Sequence, residues 1–211
     1  PQFIKSGVVS SELQKTGLCE EIIVHTGQHY DQNMSNIFFE ELYLNLPKYN
    51  LGVGSGTHGY QTGTMMVKLE EVVLQEKPDA IIVYGDTNST LAGSLVAAKL
   101  GIKSIHVEAG LRSWNRSMPE EINRVISDRL ADTLFAPTQT SVTNLMNEGI
   151  SKEKIELVGD VMYDVFLRQE SIARNFNEVI NNYNLKEGGY VLATLHRAEN
   201  TDNINRLKAI I

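Results

Sequence analysis

The sequence predicts an α/β fold organised around a parallel sheet, and three observations carry that expectation. Short apolar runs of strand length alternate with stretches of helical period along the whole chain. Ala80-Ile81-Ile82-Val83-Tyr84 is continuously apolar, as a strand covered on both faces is. Acidic residues stand just beyond such runs, in Tyr84-Gly85-Asp86-Thr87 and in His106-Val107-Glu108-Ala109-Gly110-Leu111-Arg112, where open α/β sheets bind their ligands.

Taken in order, Phe3 to Leu13 has the period of an amphipathic helix, and Glu21 to His25 reads as a short buried strand. Ile37 to Leu44 is helical again. A glycine-rich connection runs from Gly52 to Gly63, and Met65 to Gln75 returns to a helical period that Pro78 ends. The strand Ala80–Tyr84 leads into a small-residue helix, Leu91 to Leu100, begun by Asn88-Ser89-Thr90. Ile102 to Val107 is the next strand. Pro119 opens a helix whose Ile122, Val125, Ile126 and Leu130 share one face, expected to be the buried one. Thr133 to Ala136 is a strand, Thr138 caps a helix reaching Asn147, and Lys154 to Val158 is a further strand. Val161 to about Asn184 is helical and more polar, and Lys186-Glu187-Gly188-Gly189 is a turn. Tyr190 to Leu195 then begins a second α/β unit whose helix starts near Thr201 or Asp202. Strands separated by helices imply right-handed crossovers. The expected division is 1–168, a linking helical stretch at 169–188, and the start of a second domain at 189–211. With no strand before the first helix and no initial methionine, the chain reads as a fragment of a longer protein.

Composition narrows the function. Of 211 residues, 42% are hydrophobic and 21% charged, which suits a packed core rather than disorder. A net charge of −7 without a basic stripe speaks against nucleic acid, though local Arg and Lys groups can still serve an anionic small molecule. The single cysteine, Cys19, fits a reducing, cytoplasmic setting, and no Cys/His spacing suggests a metal. No apolar run has the ~20 residues of a membrane helix. There is no Walker loop or nucleophile elbow, and no cofactor is expected.

The candidate chemistry sits at strand and helix ends. Asp86, after Gly85, can accept a proton or hold a ligand hydroxyl; an Asp there can equally cap the next helix. Glu108 projects from a strand tip, and Arg112 four residues on offers it a partner, either as a loop-holding ion pair or as a cation that tunes an acid/base group. Glu120 and Glu121 lie in a first helical turn, where acids are ordinary. Asn123 and Arg124 follow in the next turn, and Arg124 suits a phosphate or carboxylate. His196-Arg197-Ala198-Glu199-Asn200 follows a strand and precedes a helix, a place for a phosphate or leaving-group oxygen. His25, His58 and His106 read as structural. Gln28-His29-Tyr30-Asp31 lines the same crevice or makes a turn.

Together these segments resemble the non-hydrolysing UDP-N-acetylglucosamine 2-epimerase family. The resemblance rests on Pro1–Lys5, His25-Thr26-Gly27-Gln28-His29, Gly85-Asp86-Thr87, His106–Arg112, Pro119–Arg124, Gly159-Asp160-Val161 and His196–Asn200, and it covers the chain from end to end. It implies a Rossmann-like parallel-sheet domain of a GT-B-type two-domain enzyme. The amino-terminal domain would lack its first strand, and the carboxy-terminal UDP-binding domain would only have begun. It implies inversion at C2 of a UDP-N-acetylhexosamine by UDP elimination, a 2-acetamidoglucal intermediate and re-addition. By matching positions, Asp86, Glu108, Glu120 and His196 would be catalytic. Lys5, Arg112, Glu121, Arg124, Arg197 and Glu199 would bind substrate. Gln28, His29 and Gln61 would belong to an allosteric site, although Tyr60 stands where members with that site carry arginine. The resemblance implies a UDP-sugar substrate and a homodimer, with no cofactor, metal, nucleic acid or membrane. Gln2-Phe3 and Gln28–Asp31 are similar to a subgroup acting on UDP-diacetamido-uronic acids. A GT-B glycosyltransferase and a non-catalytic UDP-sugar-binding domain are the alternatives.

Overall fold

A computed structural model describes residues 2–27, 46–173, 178–186, 188–195 and 198–211. The expected helix over Ile37–Leu44 lies outside them. Residues 1–168 and 169–211 form two separate compact units.

The first unit begins with α1 (Gln2–Thr16), β1 (Val24–His25) and β2 (Tyr49–Asn50). These two short strands pair in parallel, Val24 opposite Tyr49. The sequence indicated no strand at 49–50, because a two-residue strand leaves no alternation to read. Helix α2 (His58–Glu76) starts within the expected glycine-rich connection, so Gly59 and Gly63 are helical. Its Met65, Leu69, Val72 and Val73 form one buried stripe, packed with Leu51, Val53, Ala92 and Val96.

A four-stranded parallel sheet follows: β3 (Ala80–Tyr84), β4 (Lys103–Val107), β5 (Thr133–Ala136) and β6 (Ile155–Leu157), in that spatial order. Between them run α3 (Asn88–Leu100), α4 (Pro119–Leu130) and α5 (Gln139–Asn147), with α6 (Val161–Ala173) after β6. Small residues let α3 lie close on the sheet: a Cβ at Gly93 would come within 2.7 Å of Val83 Cγ1. Beneath α5, Ala109, Ala131, Leu134, Ala136, Leu145, Ile150 and Ile155 make a second apolar cluster.

Helix α4 reverses the expected orientation. Ile122, Val125 and Ile126 are exposed, while Glu121, Asn123, Ser127 and Asp128 are buried. Periodicity identifies residues that share a face; it does not say which face turns inward. Glu121, Asn123 and Asp128 find charged, amide or backbone partners there, which offsets the cost of desolvating them, whereas the Ser127 hydroxyl has no hydrogen-bond partner among the described residues.

In the second unit, α7 (Glu178–Asn182), α8 (Ala198–Thr201) and α9 (Ile204–Ile210) are helical. The expected strand at Val191–Leu195 is corrected: these residues pair with no strand among the described residues, and all are exposed. A strand needs a hydrogen-bonded neighbour, which an apolar run alone does not supply.

Candidate active site

The sheet places two acids side by side. Tyr84 at the end of β3 is in register with Val107 at the end of β4, and Gly85 N–H extends the ladder to Val107 O at 3.0 Å. Asp86 and Glu108 therefore leave adjacent strand tips at the carboxyl edge, the usual ligand edge of a parallel sheet. Gly85 has φ +64°, a turn that redirects the chain into α3. Glu108 has φ +72°, a conformation costly for a residue with a side chain, and such positions gather at functional sites.

Asp86 does not cap α3. Thr87 does, by a capping box with Thr90, which leaves the Asp86 carboxylate for another partner. That partner is Arg124 of α4, whose Nη2 donates to Asp86 Oδ2 at 2.5 Å. Glu108 pairs with Lys5 of α1, through Nζ to Oε2. The expected Glu108–Arg112 pair is thus corrected. All four side chains keep some solvent access, 27% for Asp86 and 18% for Glu108.

Arg112 is engaged elsewhere. Its Nη1 donates to Asp128 Oδ2 at 2.7 Å, and its Nε and Nη2 form a fork on Glu148 at 2.6 and 2.7 Å. Those contacts raise its pKa against the lowering effect of burial, and the side chain has no exposed surface. Placed so, it holds the 110–112 loop and presents no donor to a substrate.

Glu121 is likewise turned inward. It accepts from the backbone N–H groups of Ser113 and Trp114, both at 2.9 Å, from the Ser113 hydroxyl, and from Arg124 Nη1 at 3.0 Å. Burial alone would raise its pKa; the hydrogen bonds from Ser113, Arg124 and Trp114 outweigh that and hold it below the usual carboxylate range. Its neighbour Glu120, about 100° around the helix, is exposed.

An amide network ties the tips together. Asn123 donates to Asp86 O at 2.9 Å and to Asn88 Oδ1 at 3.3 Å. Asn88 donates to Gln61 Oε1 at 2.7 Å, and Gln61 donates to Gly54 O at 2.8 Å. Gln61, a candidate allosteric residue, is therefore buried with its amide committed on both sides. His196, Arg197, Gln28 and His29 lie outside the described residues, as does the Glu199 side chain. Among the described residues no group of three or more His, Cys, Asp or Glu could hold a metal ion. No described helix is long and apolar enough to cross a membrane.

Sequence reasoning passed over Asp128, which lies seven residues after Glu121 and so on the same helical face. That spacing was the available signal.

An α/β unit with acids and cations at the carboxyl edge of its sheet is the setting of a small-ligand site, and comparison with known proteins gives the family. Residues 11–211 match the family model described as UDP-N-acetylglucosamine 2-epimerase, and the chain belongs to that family. It is 54% identical over its whole length to a UDP-N-acetylglucosamine 2-epimerase homolog of Methanococcus maripaludis, covering 58% of that protein. It is 51% identical to the UDP-2,3-diacetamido-2,3-dideoxy-D-glucuronate 2-epimerase of Pseudomonas aeruginosa, covering all of this chain and 59% of that one. The crystal structure of Methanocaldococcus jannaschii UDP-GlcNAc 2-epimerase in complex with UDP-GlcNAc and UDP is similar with a TM-score of 0.87 and 51% identity. It is matched over 99% of this chain and 57% of that one. The Neisseria meningitidis enzyme bound to UDP-GlcNAc gives a TM-score of 0.83 at 31% identity, over 95% and 56%. The chain thus spans a little over half the length of the relatives it matches.

Proposed function

We propose that the whole protein inverts C2 of a UDP-N-acetylhexosamine by eliminating UDP, holding a 2-acetamidoglucal, and adding UDP back. The observation that supports this best is the pair of acids on neighbouring strand tips, each carrying its own cation, in a chain 54% identical to an epimerase homolog. The C2 proton has no neighbouring carbonyl, so its removal needs positive character at C1, which departure of the diphosphate creates. A site for that chemistry must neutralise the leaving diphosphate, support C1, and exchange a proton on each face of the ring.

Asp86, Glu108 and Glu120 share the proton transfers and the support of the oxocarbenium. Lys5 and Arg124 sit against two of these acids and, with His196 and Arg197, attend the diphosphate. Glu199 also contributes to substrate binding. A diphosphate arriving at Lys5 and Arg124 competes with Glu108 and Asp86 for the same cations, which releases carboxylate oxygens as substrate binds. Arg112 and Glu121 act as positioning residues, through the loop at 110–114. Gln28, His29 and Gln61 form the boundary of an effector site for a second UDP-sugar, with Gln61 supporting its backbone.

The protein acts as a homodimer in a cytoplasmic setting. The exposed Ile122, Val125 and Ile126 of α4 are the apolar surface that a second copy covers. Light scattering on Ile126→Glu beside the wild type checks this: the dimer should give way to monomer.

Incubation of the full-length protein in D2O with UDP-N-acetylglucosamine, and separately with UDP-2,3-diacetamido-2,3-dideoxy-D-glucuronate, tests the reaction and the sugar. Deuterium at C2 without net UDP release supports epimerisation, and the faster substrate names the sugar. Stoichiometric UDP release with an acceptor would indicate a glycosyltransferase instead. Binding with no exchange for either sugar would leave a UDP-sugar-binding protein.

A further inference from the structure

Below the two acidic tips lies a charged cluster that the reaction chemistry does not use. His106, in β4, has no exposed surface. Its Nδ1 lies 2.7 Å from Asp128 Oδ1, and its Nε2 lies 2.7 Å from the carbonyl oxygen of Gly85. A carbonyl oxygen can only accept, so Nε2 must carry a proton. The carboxylate of Asp128 can also only accept, so Nδ1 must carry one too. A protonated Asp128 would satisfy the same count. However, its other oxygen already accepts from Arg112 Nη1 at 2.7 Å and from Gly110 N–H at 3.1 Å, so a carboxylate meets the Arg112 cation with opposite charge. With His106 and Arg112 as cations and Asp128 and Glu148 as anions, the cluster is neutral overall.

We propose that His106 is a doubly protonated imidazolium that, with Asp128, acts as a positioning residue joining the Gly85–Asp86 turn to the Glu108–Gly110 turn. One ring nitrogen holds the carbonyl of the residue before Asp86. Asp128 holds the N–H two residues after Glu108 as well as the other ring nitrogen. One buried ion pair crossing from β4 to α4 thus adds a second tie between the two tips beside the strand ladder and the amide network.

Long-range 1H–15N correlation on the protein, with His106 assigned through its backbone connectivity, tests the charge state directly. Both ring nitrogens should give protonated-nitrogen signals at pH 7. A bare ring nitrogen on His106 at that pH would overturn the proposal. Asp128→Asn keeps the shape and turns an amide N–H₂ towards Nδ1, so His106 should become neutral with its proton on Nε2. A ring still doubly protonated in that variant would remove Asp128 from the proposal. Should Asp128→Asn not fold, the wild-type spectrum alone decides. These spectra do not depend on the reaction. The kinetic arm rests on the epimerase reading: in the full-length protein Asp128→Asn should lower kcat by about 10²-fold with little change in KM, as small misplacement of catalytic groups does. An unchanged kcat in an active wild type would refute positioning while leaving the epimerase reading intact.

Discussion

Replacing Arg112 with leucine removes a guanidinium that bonds two acids at once, Asp128 of α4 and Glu148 just after α5, and the structure sets the size of the effect. The substitution keeps an aliphatic body of related volume, so packing loss is minor and the charge dominates. Glu148 loses two hydrogen bonds, but its side chain is 26% exposed and water replaces much of them, so this half costs at most about 1 kcal/mol. Asp128 has no exposed surface and keeps only His106 and Gly110 N–H. Losing one partner of a buried pair costs about 3–5 kcal/mol when nothing remains. Two surviving donors place the loss at the low end, about 3 kcal/mol for the site. Urea denaturation followed by far-UV circular dichroism, run on wild type, Arg112→Leu and Arg112→Lys, measures it. Lysine keeps the charge without the fork and should lose about half as much. A loss below about 1 kcal/mol for leucine would refute the claim that this side chain holds the loop.

Three further outcomes follow from the same geometry. Gly110 has φ +81°, and a Cβ there would lie 2.5 Å from Ser141 O, so Gly110→Ala should lower stability by about 2–4 kcal/mol in the same denaturation assay. Glu121 has a carboxyl held below its unfolded value of about 4.3. Its stabilising contribution is therefore complete above that value and is lost as pH falls through the folded pKa. The stability gap between wild type and Glu121→Gln should be widest above about pH 5 and narrow on acidification. Asp86→Asn and Glu108→Gln in the full-length protein should each slow C2 deuterium exchange by about 10²–10⁴-fold, read by NMR in D2O.

How much of this was legible in sequence varies with the physics of each element. Ala80–Tyr84 and Thr133–Ala136 were readable because strands covered on both faces of a parallel sheet commonly read as short apolar runs, whereas β4 carries buried Ser104 and His106. Thr138 as a cap was readable because its hydroxyl answers a local need, the free N–H of Ser141. Asp86 and Glu108 were found as a pair, since strand ends mark the ligand edge. Their partners were not. Lys5 is 103 residues from Glu108 and Arg124 is 38 from Asp86, and no local spacing reports a contact across that distance. Arg112, four residues from Glu108, looked nearer than it is because Glu108 is not on a helix: its left-handed backbone turns the chain away. The capping role open to Asp86 went to Thr87, one residue on, a shift finer than sequence boundaries locate.

The inverted burial of α4 sets an unusual rule for which substitutions a single folded copy of this chain can absorb. Swapping Val125 or Ile122 for lysine puts charge into water that already surrounds those positions, and the helix itself loses almost nothing. Ser127, with no exposed surface, is the opposite case: a leucine there must fit its extra bulk into a wholly buried position on the face it shares with Asn123. Within one copy, this helix is therefore most sensitive at its buried hydrophilic positions, while its exposed apolar ones answer only to the surface proposed for a second copy.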